Sequence, residues 1–273
     1  MIELPESKVL AKEGTTLFKN LIITDVKALK SPHSFCWMNL EPKAMEDALL
    51  GKTITSLKSY SHYLRFMLSD GSELAIGEDV NPEYKSLHQE SLKHQLMIQF
   101  NNEMILEFKI KLYGFILYGF EDDLKKTMPY YQRAIEAIDP LSNDFTFDYF
   151  VKTTGLNQQK GTVKQVLATG QTIPGLGNGI LQDILFDAKL LPKRKINTLS
   201  EEDKQRLYHS LVAVIDKMTT FGGRDHVLHF TGDPGGYEVL MKNTRERCPI
   251  CDEPLVKEAY LGGKVIYCKH CQK

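Results

Sequence analysis

The segment TVKQVLATGQTIPGLGNGILQDILFDAKLLP, residues 162–192, carries the most specific pattern in this chain. Its glycine-rich run, Gly175 to Asn178, leads directly into an amphipathic helical pattern. Glycines before a helix open the approach to backbone N–H groups and to the positive end of the helix dipole, which suits a phosphate. The motif alone is also compatible with an ordinary helix start, because Ile180 stands where a dinucleotide-binding loop has glycine.

Basic residues are concentrated around this segment. Lys and Arg outnumber Asp and Glu by seven to two over residues 151–200 and by seven to four over 241–273, whereas residues 1–150 carry 16 basic and 22 acidic side chains. The formal net charge of −1 argues against a uniformly basic nucleic-acid binder. The two basic blocks are typical either of one positive stripe or of separate solvated faces.

The composition is that of a globular protein, with 42% hydrophobic and 25% charged residues. No run approaches the roughly 20 apolar residues that cross a bilayer. The first residues, MIELPESKVLAKEG, lack the basic start and apolar core of a signal peptide. We therefore expect a cytoplasmic protein without a membrane partner.

The N-terminal half, residues 1–134, is predicted to be rich in β-strands. Short β-type runs extend from about residue 8 to 120, and the SDGS at residues 69–72 is a hairpin signal. One helix interrupts them, starting at Pro42 and ending at Gly51. This pattern favours a β-sandwich or barrel.

A helical domain is predicted over residues 135–240. Apolar residues at i, i+3, i+4 spacing occur in four segments, 147–155, 161–170, 176–191 and 200–223. The last segment has two candidate capping boxes, Thr198 with Glu201 and Ser200 with Asp203. The turn-rich residues 230–240 lead to a C-terminal module, 241–273.

The C-terminal module contains two C-x-x-C pairs separated by 16 residues. The four thiols belong to Cys248, Cys251, Cys268 and Cys271. Two tight turns joined by a β-hairpin at this spacing are typical of a tetrahedral four-thiolate zinc site. A pair of disulfides, the alternative, is disfavoured in a cytosolic chain. We predict one structural Zn²⁺ per chain, without an open coordination position for catalysis.

The order of these elements resembles the formamidopyrimidine-DNA glycosylase / endonuclease VIII family of base-excision repair enzymes. MIELPES, residues 1–7, is similar to the family's P-E-L-P-E start, and residues 41–64 to its helix, strand and lysine-bearing turn. The resemblance covers essentially the full chain. It implies an α+β multidomain fold with an N-terminal β-sandwich, a helix-two-turn-helix domain and a zinc-finger β-hairpin.

The resemblance also implies a DNA glycosylase with abasic-site lyase activity. Its partner would be damaged or abasic double-stranded DNA, bound by a monomer at the bacterial nucleoid. In the family a base is flipped out of the duplex, and the amine of an N-terminal proline attacks the sugar C1′. The adjacent glutamate transfers protons, and a Schiff base leads on to strand cleavage. Glu3 matches this glutamate, and Glu6 a second carboxylate of the pocket.

The position of the nucleophile departs from the family pattern. Ile2 stands where the family has proline, and a bulky second residue normally leaves Met1 in place. The free amine would then be displaced by about 3.3 Å of extended chain. Such displacements can be damaging to catalysis, although a primary amine still forms a Schiff base. The catalytic candidates are therefore Met1, Ile2, Glu3 and Glu6.

Residues that would contact DNA in the first half are partly replaced. His62 stands at the turn lysine of the family, and Glu78 at a methionine that fills the gap left by the flipped base. Lys111 and Tyr113 match an R-x-F pair that inserts beside it. His62 is equally compatible with a strand residue without a role, and Tyr113 with a core aromatic.

Residues that would hold phosphates in the second half are better retained. Lys164 and Asn178 match the family residues in this role. The arginine of the zinc hairpin is replaced by Gly263, with Lys264 next to it. Lysine supplies a point charge without the bidentate fork of arginine.

Two functions remain open at the level of sequence. Retention of Glu3 and Glu6 favours an active glycosylase, whereas loss of the proline, lysine, methionine and arginine favours a DNA-binding module without excision. Both predict DNA binding, because phosphate contacts position a protein without its catalytic groups. We favour the enzyme.

Overall fold

The computed structural model describes residues 1–157 and 160–273, which form two compact units. The first unit comprises Met1–Glu136 and His226–Gly235, and the second comprises Ala137–Asp225 and Gly236–Lys273. The helical segments and the cysteine module thus share the second unit. The three-domain division at 134 and 240 stays a prediction. Within the described ranges no helix is long and apolar enough to cross a membrane.

A seven-stranded sheet forms the centre of the first unit, all of whose residues are described. Its strands are β1 Ile23–Ala28, β2 Cys36–Met38, β3 Ile54–Tyr60, β4 Tyr63–Leu68, β5 Glu73–Ser86, β6 Leu96–Phe100 and β7 Met104–Gly119. They lie in the order β1-β6-β7-β5-β4-β3, and β2 pairs with β7 in parallel. The strand-rich first half and the mixed class of the fold are confirmed. The strands predicted to form a sandwich all belong to this one sheet.

Helix α1, Leu4–Phe18, corrects the prediction of β-type runs from about residue 8. Pro5 lies in its first turn, and the backbone N–H of Glu3 donates to Glu6 Oε2 at 3.1 Å. Leu10 and Phe18 are among the side chains it buries. A Cβ on Gly14 would overlap Leu57, so this glycine permits close packing on β3. Packing against the sheet stabilises residues 4–18 as a helix, and the local alternation of apolar and polar residues did not indicate this.

The other local predictions for the first unit agree with the structure. Helix α2, Pro42–Leu49, ends just before Gly51. The SDGS at residues 69–72 joins the antiparallel strands β4 and β5. Two helices not predicted from the sequence follow β7, namely α3 Glu121–Thr127 and α4 Pro129–Glu136.

The core of the first unit includes a residue that is distant in sequence. Phe230, in the segment predicted as a linker, packs edge-on against Phe18 with ring centroids 4.9 Å apart. Its carbonyl accepts a hydrogen bond from the backbone N–H of Tyr84 at 2.8 Å. Phe230 is fully buried, so this part of the predicted linker belongs to the hydrophobic core.

The second unit is mostly helical and ends in a hairpin. Its main elements are α5 Phe147–Thr154, α6 Asn178–Asp187, α7 Glu201–Thr220, β8 Val256–Tyr260 and β9 Gly263–Tyr267, with a π-helical turn at Gln165–Thr169. Of the two candidate capping boxes, the structure has Ser200 with Asp203: the Ser200 hydroxyl accepts from Asp203 N at 3.1 Å. Thr198 lies in the short 3₁₀ turn that precedes α7.

Candidate functional site

A bulge between β5 and β7 organises the candidate site in the first unit. Glu78 pairs with Gly114 and Val80 with Ile110, so residues 111–113 all lie opposite Asp79. The Asp79 carboxylate accepts a hydrogen bond from the backbone N–H of Leu112 at 3.1 Å. This bond satisfies a donor that the bulge removes from the strand ladder.

The chain terminus is seated on this bulge. The α-amine of Met1 lies 2.9 Å from Asp79 Oδ1, and the backbone N–H of Ile2 donates to the Glu78 carbonyl at 3.0 Å. The Ile2 side chain is buried in the hydrophobic core. Ile2 thus anchors the terminus, and the amine at the site is that of Met1. Asp79 was not predicted from the sequence, because only the fold brings it to the terminus.

Glu3 and Glu6 are buried carboxylates directly beyond the amine, each about 3% exposed. They form the capping box of α1, in which each carboxylate accepts a hydrogen bond from the backbone N–H of the other residue. Buried carboxylates are costly unless they are hydrogen-bonded, and these helix-cap bonds meet part of that cost. The helix cap thus fixes two acidic groups within the first six residues of the chain, which begins with a primary amine.

His62, Glu78 and Tyr113 form a second set of contacts beside the terminus. His62 Nε2 lies 3.2 Å from Glu78 Oε1, and Tyr113 hydrogen-bonds the same carboxylate. Burial by itself would raise the pKa of Glu78, but the neighbouring His62, the Tyr113 hydroxyl and the charge of the chain terminus together lower it. Burial and the Glu78 charge raise the pKa of Tyr113 to about 12. Glu78 is therefore turned inward and does not project as a wedge.

We expect Glu78→Gln to lower the free energy of unfolding by about 1–3 kcal/mol at pH 7, because it replaces a buried carboxylate that Tyr113 hydrogen-bonds and that lies 3.2 Å from His62 Nε2. The lowered pKa of Glu78 means that its contribution is present above the ordinary carboxyl pKa of 4.5 and is lost as pH falls through the lowered value. Urea unfolding at pH 7 and at progressively lower pH should show the two proteins converging in acid.

Glu103→Gln is the matched control for this substitution. Glu103 has the same left-handed backbone conformation as Glu78, with φ of 62° against 66°, but its side chain is exposed. Equal destabilisation by the two substitutions at pH 7 would show that the His62 pair contributes nothing specific.

The second unit brings together Lys164, Asn178 and the turn of the C-terminal hairpin. Lys164 is almost fully buried, and its Nζ donates to the carbonyls of Tyr260 and Leu261 at 2.6 and 3.1 Å. Burial lowers its pKa. Asn178 Nδ2 donates to the Lys264 carbonyl at 2.7 Å. The start of α6 and the hairpin turn therefore form one polar cluster.

Two features of this cluster bear on ligand binding. Asn178 Oδ1 is buried and has no hydrogen-bond partner within the described chain. A Cβ on Gly263 would lie 3.3 Å from Asn178 Nδ2 and 3.7 Å from Lys164 Nζ. The Nζ of Lys264 donates to Asn243 Oδ1 at 2.8 Å. A larger side chain at position 263 would therefore crowd the polar groups of Lys164 and Asn178.

The four cysteines of the hairpin converge on one point. Their Sγ atoms all lie within 4.8 Å of one another, with Cys248 and Cys271 3.7 Å apart and Cys251 and Cys268 3.5 Å apart. A tetrahedral ion with bonds of about 2.3 Å to sulfur places the sulfurs about 3.8 Å apart. All four are free thiols, so this cluster can hold a metal.

Comparison with known proteins gives related sequences across most of the chain. A family model described as the formamidopyrimidine-DNA glycosylase H2TH domain matches residues 137–226. The formamidopyrimidine-DNA glycosylase of Lactobacillus delbrueckii subsp. bulgaricus is 27% identical and covers 85% of this chain and 86% of that protein. The enzyme of the same name from Carboxydothermus hydrogenoformans is 27% identical and covers 86% of this chain and 87% of that protein.

Solved structures show the same fold. The MutM (Fpg) protein of Thermus thermophilus superposes with a TM-score of 0.83 at 22% identity, covering 99% of this chain and 98% of that one. A Lactococcus lactis Fpg in complex with DNA that contains an abasic site gives a TM-score of 0.84 at 22% identity, covering 99% of both chains.

The chain has a sheet unit, an H2TH segment and a four-cysteine hairpin in this order, and its fold is that of the solved Fpg structures. The chain thus contains an H2TH domain of the formamidopyrimidine-DNA glycosylase type at residues 137–226 and is similar over most of its length to proteins of that name.

Proposed function

We propose that this protein is a base-excision-repair DNA glycosylase that removes a damaged base from double-stranded DNA and cleaves the resulting abasic site as a lyase. Relatives named formamidopyrimidine-DNA glycosylase and a structural neighbour bound to abasic-site DNA support this assignment. The observation that carries it is the Met1 amine, held 2.9 Å from Asp79 and followed in the chain by the buried carboxylates of Glu3 and Glu6.

In the proposed reaction the deprotonated Met1 amine attacks C1′ of a flipped nucleotide. The new N–C1′ bond forms as the bond from C1′ to the base breaks, and the base leaves with a proton. Glu3 transfers protons at the sugar, and Asp79 orients the amine through the contact described above. The C1′–O4′ bond then opens as the second amine proton passes to O4′, which gives a Schiff base. Removal of a proton from C2′ and elimination of the 3′ phosphate then cleave the strand.

The remaining groups would bind DNA and hold the fold. Lys164, Asn178 and Lys264 are proposed to contact phosphates from the second unit, and His62, Lys111 and Tyr113 to contact DNA from the first. The four cysteines are proposed to hold one Zn²⁺, which would stabilise the hairpin. Because protein thiolates would supply all four ligands, this metal would leave no position for substrate.

Borohydride trapping tests the proposal directly. The substrates are oligonucleotide duplexes that carry 8-oxoguanine, an oxidised pyrimidine or an abasic site. We expect a covalent adduct that disappears when the N-terminal amine is acetylated, with intact-mass measurement of the protein to identify Met1 as the first residue. Lysine acetylation is kept below detection by reaction at low pH, and peptide mapping of the adduct locates the linkage.

A second candidate function is DNA binding without excision. The observation that favours it is the contact between His62 and Glu78, which occupies the positions where the family has lysine and methionine. The same duplexes distinguish the candidates. Salt-sensitive binding to all of them without an adduct on any would establish the binding module and overturn the enzyme.

A further inference from the structure

A partly exposed row of aromatic rings extends from the candidate site across β2 and β7. This aromatic row consists of Phe35, Trp37, Tyr113 and Phe115. Trp37 stacks on Phe115 with centroids 5.2 Å apart and an interplanar angle of 26°. The Trp37 centroid lies 6.2 Å from that of Phe35 and 6.3 Å from that of Tyr113.

Two members of the row are exposed, and Tyr113 and Phe115 are half-buried beside them. Phe35 is 56% exposed and Trp37 45% exposed. A contiguous exposed apolar patch is typical of an interaction surface. Backbone pairing fixes the rings in place: Trp37 lies opposite Phe115 in the parallel ladder, and Gly114 N donates to the Phe35 carbonyl at 3.0 Å. The surface is therefore preorganised.

The charge next to the row is positive. Lys111 is exposed on the same bulge as Tyr113, and no acidic side chain pairs with it within residues 1–157 and 160–273. The nearby carboxylates of Glu78 and Asp79 are buried and already engaged, the first with His62 and the second with Met1. Rings for stacking and a cation for phosphate occur together, which is the combination that binds single-stranded nucleic acid.

The row is also continuous with the candidate site. Tyr113 belongs to both, because its hydroxyl bonds Glu78, whose carbonyl holds Ile2. A strand whose bases stack on Phe35 and Trp37 would thus lead towards the Met1 amine within the same unit.

We propose that the aromatic row is a stacking platform for unpaired bases of single-stranded DNA. This inference rests on the proposed function for the identity of the ligand as DNA, and it extends the substrate class to damaged or abasic positions in locally unpaired strands. Stacking on aromatic side chains tolerates any base sequence, so the platform would prefer single-stranded to paired DNA without a preference for sequence.

Trp37 is the only tryptophan of the chain, so its fluorescence reports on the platform directly. The probe is an undamaged single-stranded oligothymidylate, compared with a fully paired duplex of the same length. We expect saturable quenching of Trp37 by the single strand and much weaker quenching by the duplex. Phe35→Ala should weaken single-strand binding by about 10-fold, measured by anisotropy of a labelled oligonucleotide.

Tyr130→Ala is the matched control, since Tyr130 is a 67% exposed aromatic residue of the same unit, on α4. It should leave the affinity unchanged. Absence of quenching by the single strand, or equal affinity of wild type and Phe35→Ala, would overturn the platform. Concentration-dependent burial of Trp37 without DNA, seen together with dimers in sedimentation, would assign the surface to a second copy and overturn it also.

This experiment is independent of excision. The oligothymidylate carries no lesion, so a protein that forms no borohydride adduct can still show the expected quenching. Conversely, an adduct on damaged duplex without quenching by single strands would remove the platform and leave the proposed glycosylase in place.

Discussion

Replacing Cys268 by serine is expected to reduce the bound metal from about one ion per chain to nearly none and to unfold residues 244–273. Cys268 is fully buried within the sulfur cluster, and a serine hydroxyl is a poor substitute for a thiolate ligand. In small zinc modules the binding free energy of the metal is largely the folding free energy. Elemental analysis after dialysis and limited proteolysis of the hairpin measure the two effects.

Loss of the hairpin should also weaken DNA binding by at least about 10-fold. The hairpin supplies the carbonyls of Tyr260, Leu261 and Lys264, which hold Lys164 and Asn178 in place. Without them, these two proposed phosphate contacts lose their fixed positions. One good contact to a charged group is worth about 1.5–3 kcal/mol, and each 1.4 kcal/mol is tenfold in affinity.

Cys36→Ser is the matched control for Cys268→Ser. Cys36 is the one cysteine of the sequence outside the cluster, and burial raises the pKa of its thiol to about 11. It should therefore remain protonated and bind no metal at neutral pH. Retention of one metal ion by the Cys268 variant, or its loss from the Cys36 variant, would contradict the assignment of the site.

The features that the sequence predicted best depend on chemistry that is local in the chain. The spacing of the cysteine pairs, the glycines before Asn178 and the capping box at Ser200 each place their interacting groups within a few residues or one hairpin. Turn geometry and thiolate coordination restrict such segments strongly. Their structure could therefore be inferred before the tertiary fold was known.

The features that were missed depend on pairing between distant segments. The region of helix α1 was predicted as β-type because a local pattern does not reveal contacts with distant segments. This helix packs on strands more than 35 residues away, and Gly14 contacts Leu57 there. Asp79 reaches Met1 only through the register of β5. Phe230 enters the first core from beyond residue 225. None of these contacts leaves a periodic signal in the sequence.

The inward position of Glu78 shows how such pairing affects the candidate site. The resemblance to the family placed Glu78 at a DNA-wedge position, where a carboxylate would meet a polyanion. In the structure its side chain contacts His62, which the resemblance placed at the position of the family's turn lysine. Two departures that looked independent in the sequence are therefore in direct contact. In this chain the two residues form a single contact beside the terminus.

Glu3→Gln is expected to lower the rate of borohydride-trapped adduct formation by at least about 100-fold, because it removes the group proposed to transfer protons at the sugar. DNA affinity should change little, since Glu3 is buried and contributes no phosphate contact. The rate is measured under single-turnover conditions on the duplex that the wild type traps best. Thermal unfolding checks that the variant is folded.

Glu3 is also the cap of α1, so a loss of rate has to be separated from a loss of the cap. Glu3→Asp does this, because aspartate is a better cap than glutamate yet places its carboxylate one methylene further from the sugar. A variant that is as stable as wild type but slower in trapping assigns the effect to the position of the carboxylate. Glu13→Gln, which makes the same charge change later in α1, should trap at the wild-type rate. Wild-type trapping by Glu3→Gln would instead leave Glu3 with the capping role alone.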